Sequence, residues 1–212
     1  MKVKGLKSKS VKRGGKVTIG ILAVQGDYQA HGKVLERMGV EYRYLVRAAH
    51  LDGVDGLIIP GGESSTMLKF LETEGLRGAI EQFANEGGAI FGTCAGVILL
   101  AKEVKNPAQE SLGLADVAVV RNAYGRQLSS HVAQAPSKLS DQPLEMVFIR
   151  APVIERTGKG VEVLAEYQGQ PVLVRDGKVL AATFHPELTQ DTSVHEAFLS
   201  LVRNGAARTV ER

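Results

Sequence analysis

The chain has 212 residues, of which 44% are hydrophobic and 23% charged, a composition typical of a soluble globular protein. It contains no run of about 18 apolar residues that could span a bilayer. The formal net charge of +3 arises at the start, because the first sixteen residues hold seven of the 26 Lys and Arg and no acid. The remainder is mildly acidic, so we expect neither a nucleic-acid partner nor a membrane.

Two segments are expected from this composition. Residues 1–16 lack the apolar core of a signal peptide and contain Gly14 and Gly15, which predicts a flexible basic leader. Residues 17–212 suffice for one well-buried domain. The single cysteine, Cys94, excludes an intramolecular disulfide and a cysteine-rich zinc site, and favours a cytoplasmic location.

Strand and helix patterns alternate through the first half of the chain. Apolar β-branched runs predict buried strands at 16–24, 40–46, 56–60 and from Gly88, and helical spacing occurs at 27–38, from about Thr66, at 76–85 and at 95–101. This alternation predicts an α/β fold with a doubly wound, mostly parallel sheet. Ligand sites in such sheets lie beyond the carboxyl ends of the strands, where the chain reads VQGD, PGGESS and TCAG.

The second half predicts antiparallel additions to this sheet. Shorter strands are expected at 117–121, 146–150 and 161–168, and Asp176-Gly177 between apolar runs predicts a hairpin. A last helix should begin at a capping box of Ser193 and Glu196 and end at Asn204-Gly205. The whole is expected to be a single three-layer, flavodoxin-like sandwich.

Cys94 stands in the run GTCAG, between Gly92 and Gly96. A glycine two positions before and after a nucleophile is the pattern of a nucleophile elbow, where a strained strand-to-helix turn leaves no room for neighbouring side chains. Such a turn places the thiol at the sheet edge, with the amide of Ala95 available for an oxyanion. The alternative is a buried structural cysteine, since cysteine is among the most buried residue types.

A cysteine nucleophile needs a base, and His185 is the best candidate. It follows the predicted strand VLAATF, and Pro186 stiffens the turn that leads to Glu187, whose carboxylate could orient the imidazole. His31 and His195 lie in helical stretches, where a solvated or packed histidine is expected. His50 and His131 have no partner in the sequence and are interpreted as structural.

The loop PGGESS follows another buried strand. Its paired glycines, Gly61 and Gly62, allow the backbone to approach a ligand closely and to direct N–H groups at a phosphate or an oxyanion. The signal is weak by itself. The loop lacks the GxxxxGK[ST] pattern, which argues against a nucleotide P-loop.

Together, PGGESS, GTCAG and FHPE resemble the class I glutamine amidotransferases. More narrowly, AVQGD, PGGESST, GTCAG, RNAYGRQ, VFIRAP and FHPELT resemble, in this order, the glutaminase subunits of two-component pyridoxal 5'-phosphate synthases. The resemblance extends from about Val17 to Arg203. It implies hydrolysis of L-glutamine with Cys94 as the nucleophile and with His185 and Glu187 completing a catalytic triad.

The resemblance also implies a substrate site, a partner and a mechanism without metal or organic cofactor. Glutamine contacts are implied for Gly62, Glu63, Ser64, Arg121, Ile149 and Arg150. The amides of Gly62 and Ala95 are expected to form the oxyanion hole. The implied partner is the synthase subunit, which combines the ammonia with a pentose phosphate and a triose phosphate, and the isolated glutaminase is expected to be weakly active.

Two features depart from the family pattern. An acidic and aromatic stretch usually follows RNAYGRQ, where this chain has LSSHVAQA, and the basic leader has no counterpart.

Two other functions stay open. A cysteine peptidase or deglycase could use an elbow cysteine on a similar sheet, but would not need the PGGESS and RNAYGRQ loops. A non-catalytic scaffold could keep the fold without needing an intact triad.

Overall fold

The computed structural model describes residues 16–121 and 130–208. The strands are β1 (Thr18–Leu22), β2 (Glu41–Leu45), β3 (Gly56–Ile59), β4 (Ala89–Thr93), β5 (Ala101–Lys105), β6 (Ala115–Val120), β7 (Ser130–Ala135), β8 (Leu144–Ile149), β9 (Val153–Thr157), β10 (Glu162–Tyr167), β11 (Gln170–Asp176) and β12 (Val179–Ala182). The helices are α1 (Tyr28–Arg37), α2 (Ser64–Thr73), α3 (Leu76–Asn85), α4 (Ala95–Leu100) and α5 (Ser193–Arg208), with 3-10 turns at Ala48–Leu51 and Pro186–Leu188. The leader up to residue 15 and residues 122–127 of the RNAYGRQ motif lie outside the described residues.

The central sheet has seven strands in the order β10-β11-β12-β4-β3-β1-β2. The five strands β12, β4, β3, β1 and β2 run parallel to one another, while β11 pairs antiparallel with both β10 and β12. The predicted α/β fold with a mostly parallel sheet and antiparallel additions is therefore confirmed.

Apolar cores lie on both faces of this sheet, because the central strands send alternate side chains to opposite sides. On one face, Ile58 and Phe91 pack with residues of α1 and α5. On the other, Leu57 and Ile90 pack with α2, α3 and α4. Burying each of these large side chains contributes about 1.5 to 3 kcal/mol, so the middle of the sheet is a stable base for the loops at its edge.

Two smaller sheets complete the molecule. Strand β5 pairs parallel to β6, and β9 pairs antiparallel to β6. Strands β7 and β8 form an antiparallel pair. The sequence pattern missed β5, β7 and β9, since these strands expose much of their length and their apolar residues are few. The hairpin between β11 and β12 was predicted, and its Gly177 adopts a positive φ of 55°.

The last helix corrects one prediction at each end. Helix α5 continues to Arg208, so Asn204-Gly205 does not end it. At its start, the hydroxyl of Thr192, rather than that of Ser193, donates to the Glu196 carboxylate at 2.7 Å, and the carboxylate of Asp191 accepts from the Ser193 amide. The cap therefore lies one residue earlier than the capping-box pattern placed it.

None of the helices in the described part of the chain is long and apolar enough to cross a membrane.

Candidate active site

Cys94 and His185 follow two neighbouring parallel strands, β4 and β12. Thr93 lies opposite Ala182 in this pairing, and the Cys94 amide donates to the Ala182 carbonyl at 2.8 Å. Both residues therefore emerge at the same carboxyl edge of the sheet. The backbone of His185 is fixed from the other side, because its amide donates to the carbonyl of Val147 in β8 at 2.8 Å.

The backbone of Cys94 is strained, with φ of 48° and ψ of −104°. Such a conformation costs about 1 to 3 kcal/mol in a residue other than glycine and persists only where the surroundings impose it. The flanking glycines provide the space. A Cβ added to Gly96 would lie 2.2 Å from the carbonyl oxygen of Ile59, and one added to Gly92 would lie 2.9 Å from the carbonyl carbon of Gly96. This is the steric arrangement of a nucleophile elbow.

The thiol of Cys94 is buried among backbone groups. Cys94 is only 7% exposed, and its Sγ lies 3.8 Å from the carbonyl oxygen of Ile149. Ala95 is the first residue of α4, so its amide has no acceptor within the helix. A substrate carbonyl held over Sγ would therefore meet an unused N–H group.

His185 and Glu187 form a buried hydrogen-bonded pair. Nδ1 of His185 lies 2.8 Å from Oε1 of Glu187, and the two residues are 2% and 4% exposed. Burial by itself would lower the pKa of His185, but the hydrogen bonds and charges of Cys94 and Glu187 outweigh it and raise the pKa to about 10. Burial would likewise raise the pKa of Glu187, but His31 and His185 lower it on balance. Both shifts favour the charged forms, an imidazolium facing a carboxylate.

The remaining nitrogen of His185, Nε2, has no hydrogen-bond partner among the described residues. Cys94 is the neighbour that most strongly raises the pKa of this histidine, although its thiol makes no well-aligned hydrogen bond to Nε2. Loose catalytic hydrogen bonds are common before substrate binds. Gly61 borders the pair, since a Cβ there would lie 2.4 Å from Cε1 of His185 and 3.4 Å from Cβ of Cys94.

A second carboxylate, that of Asp27, approaches His185 from the loop after β1. Its Oδ2 lies 3.7 Å from Nδ1 of His185, and one ligand atom from each of Asp27, His185 and Glu187 lies within 4.8 Å of the others. Three such atoms could also ligate a metal ion. However, Nδ1 of His185 already makes the 2.8 Å hydrogen bond to Glu187. The geometry therefore favours carboxylates that orient the imidazole over carboxylates that ligate a metal ion.

Glu63 caps helix α2 and joins the glycine loop to Arg121. Its carboxylate accepts from the amides of Ser65 at 3.1 Å and Thr66 at 2.7 Å, and Arg121 lies 3.3 Å away. Burial is the largest single influence and would raise the pKa of Glu63, but the hydrogen bonds from Thr66 and Ser65 together outweigh it and lower this pKa to about 2. The sequence placed the helix start near Thr66, two residues late, because glutamate is not among the preferred capping residues.

The hydroxyls of Ser64 and Ser65 extend this cluster. Both donate to Oε1 of Gln109, at 3.0 and 3.2 Å, and Arg121 also donates to Ser65 at 3.0 Å. No sequence pattern pointed to Gln109, which lies between β5 and β6. The cluster holds the start of α2 against the segments that flank β6 in the β5-β6-β9 sheet.

The loops after β1 and β3 are interlocked. The Glu63 amide donates to Oε1 of Gln25 at 2.7 Å, and the Asp27 amide donates to the Gly61 carbonyl at 3.1 Å. Gly26 has φ of 93°, and a Cβ there would lie only 1.8 Å from the Gly61 carbonyl oxygen. The VQGD and PGGESS segments therefore form one surface beside the thiol.

The structure thus gathers most of the residues named from the sequence. Cys94, His185 and Glu187 meet at one edge of the sheet, with Gly62 and Ala95 in the adjoining loop and helix start. Glu63, Ser64 and Arg121 form the capping cluster described above, and Ile149 supplies a carbonyl to the thiol. Arg150 is exposed and has a positive φ of 45°, a strain of the kind found near functional sites.

Two buried histidines lie behind His185 and Glu187, and sequence reasoning, which expected a solvated or packed histidine at each position, did not foresee their contacts. His31 and His195 are both fully buried, and Nδ1 of His31 lies 3.0 Å from Nε2 of His195. Nε2 of His31 lies 3.1 Å from Oγ1 of Thr93 and 3.5 Å from Oε2 of Glu187. The available signal was the helical spacing of His31 with Val34 and Leu35, which places it on the buried face of α1.

The model of the SNO glutamine amidotransferase family matches residues 21–204, which includes every residue of this site. The chain belongs to this family. Two curated relatives are named pyridoxal 5'-phosphate synthase subunit PdxT. The one from Koribacter versatilis is 55% identical over 88% of this chain and 96% of its own length, and the one from Solibacter usitatus is 51% identical over 86% and 97%.

Solved structures agree with the family. A crystal structure described as a glutamine amidotransferase is 46% identical, covers 87% of this chain and 98% of its own, and superposes with a TM-score of 0.83. A putative GMP synthase protein from Thermoplasma acidophilum, only 15% identical, shares the fold with a TM-score of 0.70 over 94% of this chain and 100% of its own. Family membership argues against the peptidase or deglycase alternative, and no described contact favours it.

Proposed function

We propose that this chain is the glutaminase subunit of a pyridoxal 5'-phosphate synthase, which hydrolyses L-glutamine to L-glutamate and ammonia. The observation that carries the proposal is the junction of a strained elbow cysteine, Cys94, with the buried pair of His185 and Glu187, in a member of a glutamine amidotransferase family. The identity of 55% to a PdxT subunit over most of both chains supports it.

In the first half of the reaction the Cys94 thiolate attacks the carboxamide carbon of glutamine. The carbonyl oxygen becomes an oxyanion, for which we assign the amides of Ala95 and Gly62 as donors; each such donor is worth about 10² to 10³ in rate. The His185 imidazolium then protonates the amine as the C–N bond breaks. Ammonia departs, and a γ-glutamyl thioester remains on Cys94.

In the second half a water molecule replaces the ammonia. His185, now neutral, takes a proton from this water, and the resulting hydroxide attacks the thioester carbon. The C–S bond breaks, glutamate leaves, and the proton on His185 restores the imidazolium beside the thiolate. Glu187 holds Nδ1–H throughout, which fixes the ring orientation and stabilises its charged form. No step requires a metal or an organic cofactor.

We assign substrate contacts to Gly62, Glu63, Ser64, Arg121, Ile149 and Arg150. A free amino acid presents a carboxylate and an ammonium, so it needs cationic or N–H partners for one group and acceptors for the other. The capping cluster contains both kinds, an anionic Glu63 and a cationic Arg121 at 3.3 Å from each other. The carbonyl of Ile149 is an acceptor beside the thiol.

Ammonia is useful to a synthase only if it arrives before it is protonated and lost in bulk water. We therefore propose that residues 17–212 form a glutaminase domain that docks on the synthase subunit, and that the isolated chain is weakly active. We place the complex in the cytoplasm, since a single unpaired cysteine suits a reducing compartment.

The test is glutamine hydrolysis by the purified chain, with and without the synthase subunit. We expect glutamate to form mainly when both are present, and a glutamine-like diazo-ketone to label Cys94, as read by peptide mass mapping. The Cys94→Ala variant is the control and should neither hydrolyse glutamine nor be labelled. Failure of the wild-type chain to hydrolyse glutamine or to be labelled with the synthase present would overturn the proposal.

A further inference from the structure

The second carboxylate oxygen of Glu187 faces a buried histidine that the mechanism does not use. Oε1 of Glu187 is bound by His185, whereas Oε2 has no hydrogen-bond partner among the described residues. Nε2 of His31 lies 3.5 Å from this oxygen, with both side chains fully buried. A buried carboxylate oxygen without a donor is costly, so the proton position on His31 decides how well Glu187 is held.

His31 and His195 share a limited number of protons. Burial lowers the pKa of His31, and burial together with His31 lowers the pKa of His195 to about 3. Both rings are therefore neutral, and each carries one N–H. Their 3.0 Å contact joins Nδ1 of His31 to Nε2 of His195, so one of these two nitrogens donates to the other.

Only two arrangements satisfy this contact. If Nδ1 of His31 donates, Nε2 of His31 is a bare acceptor facing the Glu187 carboxylate, and Nδ1 of His195 is a buried N–H without a partner among the described residues. If Nε2 of His195 donates instead, Nε2 of His31 carries its proton toward Oε2 of Glu187 and Oγ1 of Thr93. The second arrangement leaves only a bare nitrogen unpaired and places a donor against the anion.

We propose that His31 is a positioning residue of the triad, whose Nε2–H is shared between the carboxylate of Glu187 and the hydroxyl of Thr93, with His195 fixing its tautomer. Helices α1 and α5 thereby hold the triad from behind. The rings of His31 and His195 also stand nearly perpendicular to the ring of Phe91, at centroid distances of 5.9 and 5.5 Å, which limits their rotation. Thr93 precedes Cys94, so one imidazole is linked to both the acid and the nucleophile strand.

The direct test is the tautomer of His31 in the full-length wild-type chain. Two-dimensional NMR of nitrogen-15-labelled histidine distinguishes Nε2–H from Nδ1–H, and single His31 and His195 variants assign the signals. We expect a neutral His31 with its proton on Nε2 and a neutral His195 with its proton on Nε2. A proton on Nδ1 of His31 overturns the proposal. This measurement does not depend on catalysis.

A set of variants tests the positioning role, which rests on the proposed glutaminase function. His31→Gln keeps an amide N–H near the position of Nε2, His31→Asn places it near Nδ1, and His31→Leu removes it. With the synthase present, we expect His31→Leu and His31→Asn to lower kcat about 10 to 100-fold, with KM unchanged. Losses of this size are found when residues that orient metal-ligating side chains through hydrogen bonds are replaced. His31→Gln should retain kcat within a few-fold, and His50→Gln is the matched control.

The outcomes separate this proposal from the proposed function. If the wild-type chain fails to hydrolyse glutamine, the proposed function falls while the tautomer still reports on His31. If the wild type is active and a folded His31→Leu variant has the same kcat, or if His31→Gln and His31→Asn lose kcat equally, the positioning role is wrong. Thermal unfolding of each variant shows which of them are folded.

Discussion

Nδ1 of His185 lies 2.8 Å from the carboxylate of Glu187, and only Pro186 separates the two residues in sequence. The base and the group that orients it are thus held by one rigid turn. The nucleophile is independent of this turn, because Cys94 belongs to another strand and reaches the pair only through the pairing of β4 with β12. Changes in the turn and changes in the elbow should therefore have different consequences.

Glu187→Gln should impair catalysis while leaving the fold intact. The amide is nearly isosteric with the carboxylate but cannot stabilise an imidazolium, so we expect kcat for glutamine hydrolysis to fall by at least about 10²-fold. Steady-state assays with the synthase present provide the measurement. The exposed Glu36→Gln in α1 is the control for charge removal. A kcat for Glu187→Gln equal to that of the control would contradict the assigned triad.

The raised pKa of His185 predicts a pH dependence of stability. Its folded-state pKa of about 10 exceeds the ordinary value of 6.5, so between these values the folded chain binds more protons than the unfolded chain. The stabilisation is fully present below about pH 6.5 and is lost as the pH rises through about 10, with a slope of at most about 1.4 kcal/mol per pH unit.

Urea unfolding between pH 6.5 and 10 measures this contribution. The free energy of unfolding should decline more steeply for the wild-type chain than for His185→Gln. Cys94→Ala keeps the histidine but removes the neighbour that most raises its pKa, so it should also flatten the slope. Parallel curves for the three proteins would show that His185 is not charged at rest.

Gly96→Ala should destabilise the elbow. The new Cβ would lie 2.2 Å from the Ile59 carbonyl, so α4 or β3 must shift, and overpacking of this kind costs about 1 to 3 kcal/mol. Glutaminase activity should fall with it, because the shift moves Cys94. The comparison is Gly78→Ala in α3, where the new Cβ meets nothing within 4 Å. That variant should be stabilised by about 0.5 to 1 kcal/mol, and similar thermal shifts for both would refute the steric argument.

Glu63→Ala should weaken glutamine binding more than it slows the chemistry. The variant loses two amide hydrogen bonds at the start of α2 and the contact with Arg121. It also loses the proposed contact with glutamine, and a hydrogen bond to a charged group is worth about 1.5 to 3 kcal/mol, so we expect KM to rise about 10-fold or more. The exposed Glu74→Ala at the other end of α2 is the control. An unchanged KM would remove Glu63 and its loop from the substrate site.

The sequence predicted the triad because each of its members follows a recognisable strand. The sequence placed Cys94 and His185 at strand ends, but it did not predict the parallel pairing of β12 with β4 that brings the two residues together. The hairpin signal at Asp176-Gly177 placed β12 next to β11. Strand ends and tight turns can be recognised from a few consecutive residues, without knowledge of the rest of the fold.

His31 and His195 could not be paired from the sequence, since they lie 164 positions apart on separate helices. A histidine on the buried face of a helix is compatible with simple packing. Its polar partners depend on how α1 and α5 meet over Phe91, which no local pattern determines. The contact of Glu63 with Arg121 and the contacts of Gln109 with Ser64 and Ser65 were hidden for the same reason.

The interlocked loops after β1 and β3 have a further consequence for how the chain tolerates change. Gln25 and Asp27 each bond to the segment from Gly61 to Glu63, and Gly26 has no room for a side chain. Inserting or deleting one residue in either loop would break both attachments at once. The two segments can therefore vary only as a matched pair, and a chimera that exchanges one of them alone should lose the shape of the site even though every triad residue remains.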